Sequence, residues 1–226
     1  YTIVPRINRG WLILKETADG NTDMDVSLEQ TDGVEFASDV LTLALGAPMA
    51  GRPVSLLSTD NYLWYNPETG TSEKSQNCLT PVSEKDILMY RVADEKVLAR
   101  GEDLFYELPN FSTGSIEAYM KLSGSASLIY NGQVCLMAQG TAAFMPALLG
   151  NYHLAPYLIC YGYGNPMLVY DELNSSFGLI QASGSYTTDA PAKYTVYPLT
   201  IENPNDWLSG YNSVYFNIDG KSKSLK

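Results

Sequence analysis

Six short apolar runs set the character of this chain, and all of them close on an aromatic or long residue. They are Trp11-Leu-Ile-Leu-Lys15, Leu63-Trp-Tyr-Asn66, Ile87-Leu-Met-Tyr-Arg91, Leu128-Ile-Tyr-Asn131, Leu168-Val-Tyr-Asp171 and Val214-Tyr-Phe-Asn217. Each is followed by a polar turn and a second strand-like stretch, such as Lys96-Val-Leu-Ala-Arg100, Gln133-Val-Cys-Leu136 or Phe177-Gly-Leu-Ile180. Runs of four to eight residues bounded by Gly, Pro, Asn, Asp and Ser are the punctuation of strands and turns. The clearest hairpin is Leu128-Ile-Tyr-Asn-Gly-Gln-Val-Cys-Leu136, because Asn131 and Gly132 can both take the positive φ of a type I′ turn. Helical periodicity is weak. The longest helix-compatible stretch, residues 84–98, is interrupted by Ile87-Leu-Met-Tyr90, which reads as a strand.

The runs also recur at a spacing. Tyr90 to Tyr130 and Tyr130 to Tyr170 are each 40 residues, and Tyr170 to Phe216 is 46, although Tyr65 to Tyr90 is only 25. A recurrence of roughly 40–50 residues built from four short strands is how a propeller blade reads in sequence. One such blade cannot bury both of its faces, and stacking blades around an axis covers them. The expected architecture is therefore all-β and β-propeller-like, a single domain over residues 1–226. At roughly 45 residues per blade it holds about five four-stranded blades. A β-sandwich or a pair of small β domains, with hairpins about every 8–12 residues, is the alternative. The chain begins with Tyr1 rather than Met, so it is expected to be a mature or internal segment of something longer. Its tail, residues 220–226, reads as a hairpin arm cut off in mid-element, so the ring is expected to be incomplete. Residues 66–85 and 184–193 are polar and read as long loops.

Composition removes whole classes of function. Fourteen Lys and Arg against 25 Asp and Glu leave a net charge of −11, which repels nucleic acid and anionic lipid. Phosphate-cradling glycine motifs and basic stripes are missing from the sequence, so no nucleotide cofactor and no nucleic-acid partner is expected. An apolar fraction of 45% suits a packed core, and no apolar run reaches the ~18 residues of a membrane span. Three cysteines without a C-x-x-C spacing do not build a disulfide scaffold, and Cys135 and Cys160 sit in apolar runs that read as buried thiols.

Reactive constellations are thin. The one histidine, His153, has no G-x-S-x-G elbow to serve, and a histidine-rich zinc site needs more than one such ligand. Asp19-Gly-Asn21-Thr-Asp23-Met-Asp25 alternates oxygen side chains as a calcium loop does, but Met24 stands where the loop needs glycine and Gln30 where it needs its closing carboxylate. It reads as an ordinary turn, and no metal is expected. Asp171, Glu172 and Asp39 are conceivable acids for a glycosidase. Adjacent Asp171 and Glu172 would point to opposite sides of a strand, however, and so could not act as one pair. No catalytic residue is assigned. The richest binding chemistry is aromatic: Tyr152, Tyr157, Tyr161 and Tyr163, with His153 among them, fall within residues 152–163. Such rings stack on sugars or peptide side chains, or else pack between sheets.

Several phrases resemble the propeller half of the PKD-like surface lipoproteins of Bacteroidetes. These are Gly10-Trp-Leu-Ile-Leu-Lys-Glu16 followed by Asp25-Val-Ser-Leu28, Ile129-Tyr-Asn-Gly-Gln-Val134, Gly150-Asn-Tyr-His-Leu-Ala-Pro-Tyr157 and Val169-Tyr-Asp-Glu-Leu-Asn-Ser-Ser-Phe177. The likeness is carried by scattered short motifs over roughly residues 8–180, and Ser-Ser-Phe replaces the family's Arg-Phe ending. The resemblance implies an outer-membrane, cell-surface lipoprotein, anchored by a lipidated Cys upstream of Tyr1. It also implies a SusC/SusD-type importer as partner, with an oligosaccharide or peptide as ligand. On that footing the chain is expected to be a non-enzymatic accessory binding protein. A propeller-fold glycoside hydrolase or lyase and a structural spacer are the alternatives.

Overall fold

The computed structural model describes residues 10–30, 33–59, 62–75, 77–122, 125–137, 143–159, 167–183, 193–198, 200–201, 214–218 and 221–225. They fall into two compact units, residues 1–147 and residues 148–226. Both are built from small antiparallel sheets whose neighbouring strands are mostly neighbours in sequence.

The first unit opens with β1 (Gly10–Glu16), β2 (Thr22–Gln30) and β3 (Gly33–Ala37), paired in that order. A six-residue helix, α1 (Val40–Leu45), follows. β4 (Pro53–Thr59) continues into β5 (Tyr62–Asn66), which turns back through β6 (Thr71–Ser75) into β7 (Cys78–Ser83). β8 (Leu88–Arg91) and β9 (Lys96–Arg100) complete a four-stranded sheet of order β4-β7-β8-β9, while β5 and β6 pair separately as a two-stranded ribbon. After a 3-10 turn (Gly101–Leu104) come β10 (Ile116–Leu122), β11 (Ser125–Tyr130) and β12 (Gln133–Met137), a three-stranded sheet.

The four-stranded sheet is buried on both faces because successive strand residues point opposite ways. Leu79, Leu88 and Tyr90 join Met24, Val26, Val40, Leu41 and Met49 in one core. Cys78, Val82, Ile87 and Met89 join Trp64, Ile116, Tyr119, Leu128 and Phe144 in a second. Each core lies between this sheet and an element adjacent to it in the chain, so apolar alternation along one set of strands serves two layers. Cys135 packs in the second core, where burial pushes its thiol up to about 11, as befits an apolar filler.

The expected hairpins are present. All six apolar runs supply a strand that pairs with the strand after it. Asn131 and Gly132 take φ of 48° and 68°, as the tight turn required. Three hairpins share one further device, a four-residue turn closing in the left-handed region: residues 67–70, 92–95 and 172–175, ending on Gly70 (67°), Glu95 (57°) and Ser175 (50°). A side chain in that conformation costs roughly 1 kcal/mol relative to glycine. Glu95→Gly should therefore raise the unfolding free energy by about 0.5 kcal/mol, read from urea midpoints, after allowing for glycine's larger unfolded-state entropy.

Three expectations need correction. Residues 66–85 are no loop: Thr71–Ser75 is a strand hydrogen-bonded to Tyr62–Asn66, and Cys78–Ser83 is a strand hydrogen-bonded to Pro53–Thr59. The sheets are mostly three-stranded rather than four-stranded among the described residues, with single bridging residues such as Phe144 beside Met137 where a fourth strand was expected. The helix α1 was not foreseen. Its own N-cap residue, Asp39, makes no side-chain cap, and the carboxylate of Asp23 on β2 substitutes by accepting the N–H groups of Leu41 (3.0 Å) and Thr42 (3.3 Å) and the Thr42 hydroxyl (2.5 Å). That use, and the Lys15 ammonium 2.6 Å from Asp25, give Asp23 and Asp25 of the calcium-loop-like run structural partners; the same ammonium lies 2.8 Å from Asp39.

In the second unit, β13 (Met167–Asp171), β14 (Ser176–Ser183) and β15 (Lys193–Pro198) form one sheet. β16 (Thr200–Ile201), β17 (Val214–Ile218) and β18 (Lys221–Leu225) form another.

Candidate functional site

The segment before β13 runs antiparallel beside it. Ile159 and Leu168 exchange N–H···O bonds of 3.1 and 2.8 Å, and Leu154 bridges Asp171. Five steps separate those bridges along the incoming segment and three along β13, so two extra residues, Pro156 and Tyr157, bulge out. Proline suits the bulge because it has no N–H to offer a ladder. The Tyr157 N–H closes a three-residue turn onto the Ala155 carbonyl at 2.7 Å. Tyr157 is left 68% exposed.

Beside the bulge, the four-residue turn fixes the register so that Tyr170 lies directly opposite Phe177. Their rings meet edge to face, with centroids 5.2 Å apart and planes at 62°. Tyr170 remains 36% exposed and Phe177 37%. Of the described hairpins, this one alone sets two aromatics opposite each other. Met167, Val169 and Ile180, which alternate with the exposed set, are buried.

Asp171 holds this hairpin from within. It is 5% exposed, and its Oδ1 accepts the N–H groups of His153 (3.1 Å), Leu173 (3.1 Å) and Asn174 (3.3 Å), while Oδ2 accepts the Asn174 side-chain amide (2.6 Å). Burial alone would push the carboxyl up, but the donors from Asn174, His153 and Leu173 outweigh it and hold the group below the usual carboxylate range. Asp171 is therefore a fixed anion with its acceptors occupied, not a proton donor. Glu172, the next residue, is half-exposed at the rim, so the two acids do not converge on one point. Asp39, the third conceivable acid, is paired with Lys15 in the first unit.

The other candidate residues divide by role. His153 is pinned through its backbone, whose carbonyl accepts the Glu172 N–H at 2.7 Å, and its Nε2 stands 3.9 Å from a Glu172 oxygen. The imidazole thus forms an ion pair with Glu172 whenever it is protonated. Tyr152 is half-buried, with its hydroxyl donating to the Leu148 carbonyl at 2.5 Å. Its ring covers Gly150, where a Cβ would meet ring carbons at 2.7 and 2.8 Å. It braces the loop. Tyr161 and Tyr163 lie outside the described residues, as does Cys160. Tyr170 and Phe177 were not singled out as site residues from sequence. The available signal was their seven-residue spacing across a hairpin, which Tyr65 and Ser72, and Tyr90 and Val97, share.

The arrangement offers exposed aromatic surface in two places, the Tyr170–Phe177 pair on the hairpin and Tyr157 on the bulge of the segment that runs beside β13. Its chemistry is that of stacking and hydrogen bonding. The chain matches no protein-family model, and no curated protein is similar to it.

Proposed function

We propose that this chain is a non-enzymatic binding module of a cell-surface, outer-membrane lipoprotein, and that it holds an oligosaccharide on Tyr157, Tyr170 and Phe177 for a SusC/SusD-type importer. The observation that carries the reading is the edge-to-face pair of Tyr170 and Phe177, left a third exposed on a hairpin that spends a buried carboxylate on its own rigidity. Apolar ring surface kept in water at a stiffened position is characteristic of stacking sites. The engagement of Asp171 by its own hairpin favours binding over glycan cleavage, which needs two acids flanking one bond. A small, open aromatic surface of this kind supports affinities of about 0.1–1 mM.

We read the small sheets as propeller blades. The support is the stacking of the four-stranded sheet between its chain neighbours and the hairpins recurring at Tyr90, Tyr130, Tyr170 and Phe216. Attachment to the membrane would run through a lipid on a cysteine upstream of Tyr1.

Two measurements test the function. On a glycan array the chain should bind oligosaccharides, and a tagged copy should co-purify a SusC/SusD-type complex from outer membranes. Binding of peptides with no glycan signal, or of neither, with no importer recovered, contradicts the reading.

A further inference from the structure

We infer that the glycan taken by Tyr157, Tyr170 and Phe177 is an uncharged one, and that uronate-rich or sulfated glycans are excluded. This rests on the oligosaccharide reading above and narrows it by charge. The sequence contains no Lys or Arg between Lys121 and Lys193, a stretch that includes all three aromatics. Lys193 pairs with Ser183, six residues along β14 from Phe177, which at about 3.3 Å per residue is about 20 Å away. Carboxylates and sulfates are held by arginine or lysine through charge-assisted bonds, and none is present at this site from its own stretch of chain.

The one cationisable side chain in the sequence between Lys121 and Lys193 is the His153 imidazole, and it faces a carboxylate, Glu172, at 3.9 Å. Asp171, one residue from Tyr170, is held ionised by its buried donors, so an incoming anion would approach a fixed negative charge on a protein of net charge −11. Desolvating an anion without a partner is costly. A cationic ligand is drawn by the same field but finds no open acceptor on Asp171. Asp171 is buried with its acceptors in use, and Glu172 stands against His153. What remains on offer is ring surface and the hydroxyls of Tyr157 and Tyr170, which match the C–H faces and hydroxyls of neutral pyranoses.

Affinity electrophoresis of the whole chain decides the matter, with gels containing neutral polysaccharides (mixed-linkage β-glucan, xyloglucan, galactomannan, starch) or anionic ones (polygalacturonate, carrageenan). At least one neutral polymer should retard the protein, and Tyr170→Ala should weaken that retardation tenfold or more. Tyr157→Ala, at an exposed bulge where folding is not at stake, should weaken it at least threefold. Anionic polymers should leave mobility unchanged, and Glu172→Lys should bring in retardation by polygalacturonate. Retardation by an anionic polymer that equals or exceeds the neutral one, and is lost in Tyr170→Ala, overturns the charge inference and leaves the glycan reading standing. Neutral retardation indifferent to both tyrosine variants also overturns it. If neither class of polymer retards the protein, the oligosaccharide reading itself falls.

Discussion

Replacing Phe144 by Ala should lower the unfolding free energy by about 4 kcal/mol, the middle of the range for emptying a fully buried phenylalanine site. Phe144 is completely buried. Its ring stacks on Phe105 at 5.3 Å and meets Tyr119 edge-on at 6.3 Å. Its backbone also ties two segments together: the N–H donates to Leu104 at 2.7 Å and the carbonyl accepts from Tyr106 at 2.9 Å. The side chain is therefore wedged by a backbone that cannot easily collapse into the void, and poor collapse is what makes such truncations expensive. Urea unfolding reads the effect as a lower midpoint at unchanged slope. Phe144→Leu, which keeps most of the volume, should recover more than half of the loss. A loss below 1 kcal/mol for the alanine variant would mean that Phe144 does not anchor the second core.

The second large effect belongs to Asp171. Asp171→Ala leaves the N–H groups of His153, Leu173 and Asn174 without their carboxylate, and should cost about 2 kcal/mol because bonds to a charged acceptor exceed neutral ones. Asp171→Asn keeps an oxygen for the backbone donors but turns an amide toward the Asn174 amide, and should cost about half as much. The pH dependence follows from the lowered carboxyl. A group whose folded-state value lies below its unfolded one stabilises the fold fully above the unfolded value, about 3.9 for aspartate. That stability is lost as pH falls through the folded value. The gap between the wild-type chain and Asp171→Asn should thus be constant from neutrality to about pH 5 and close in stronger acid. Urea midpoints across that range measure it, and a gap that persists unchanged at pH 2 would show that the carboxylate's charge is not what the hairpin uses.

Much of this architecture is local and was legible for that reason. Turn chemistry lies in adjacent residues, so Asn131-Gly132 declares its hairpin directly, and alternation within each apolar run identifies a strand without knowledge of its neighbours. What stayed hidden depends on distant partners. Glu95 and Ser175 occupy left-handed positions that sequence assigns to glycine, so the turn they share with Gly70 emerges only from the backbone. The helix α1 borrows its cap from Asp23, at least sixteen residues earlier, while Asp39 at its own N-cap makes no cap bond. Residues 66–75 are polar because the β5–β6 ribbon is half solvated, and in sequence such polarity looks like that of a loop, whereas Cys78–Ser83 is fully buried in the four-stranded sheet. At the candidate site, the tyrosine cluster drew attention to Tyr157 through composition alone. Tyr170 and Phe177 required the register, which follows from the length of one turn. Tyr152 carries the same side chain as Tyr157 yet serves as a brace, a distinction set by the carbonyl of Leu148 and by Gly150.

The most direct test is to follow the ring protons of Tyr157, Tyr170 and Phe177 by NMR while a retarding neutral oligosaccharide is titrated into the whole chain. All three should shift together and saturate on one curve, with the buried rings of Phe105 and Phe144 unmoved. Saturable binding that leaves those three rings unchanged would contradict the account.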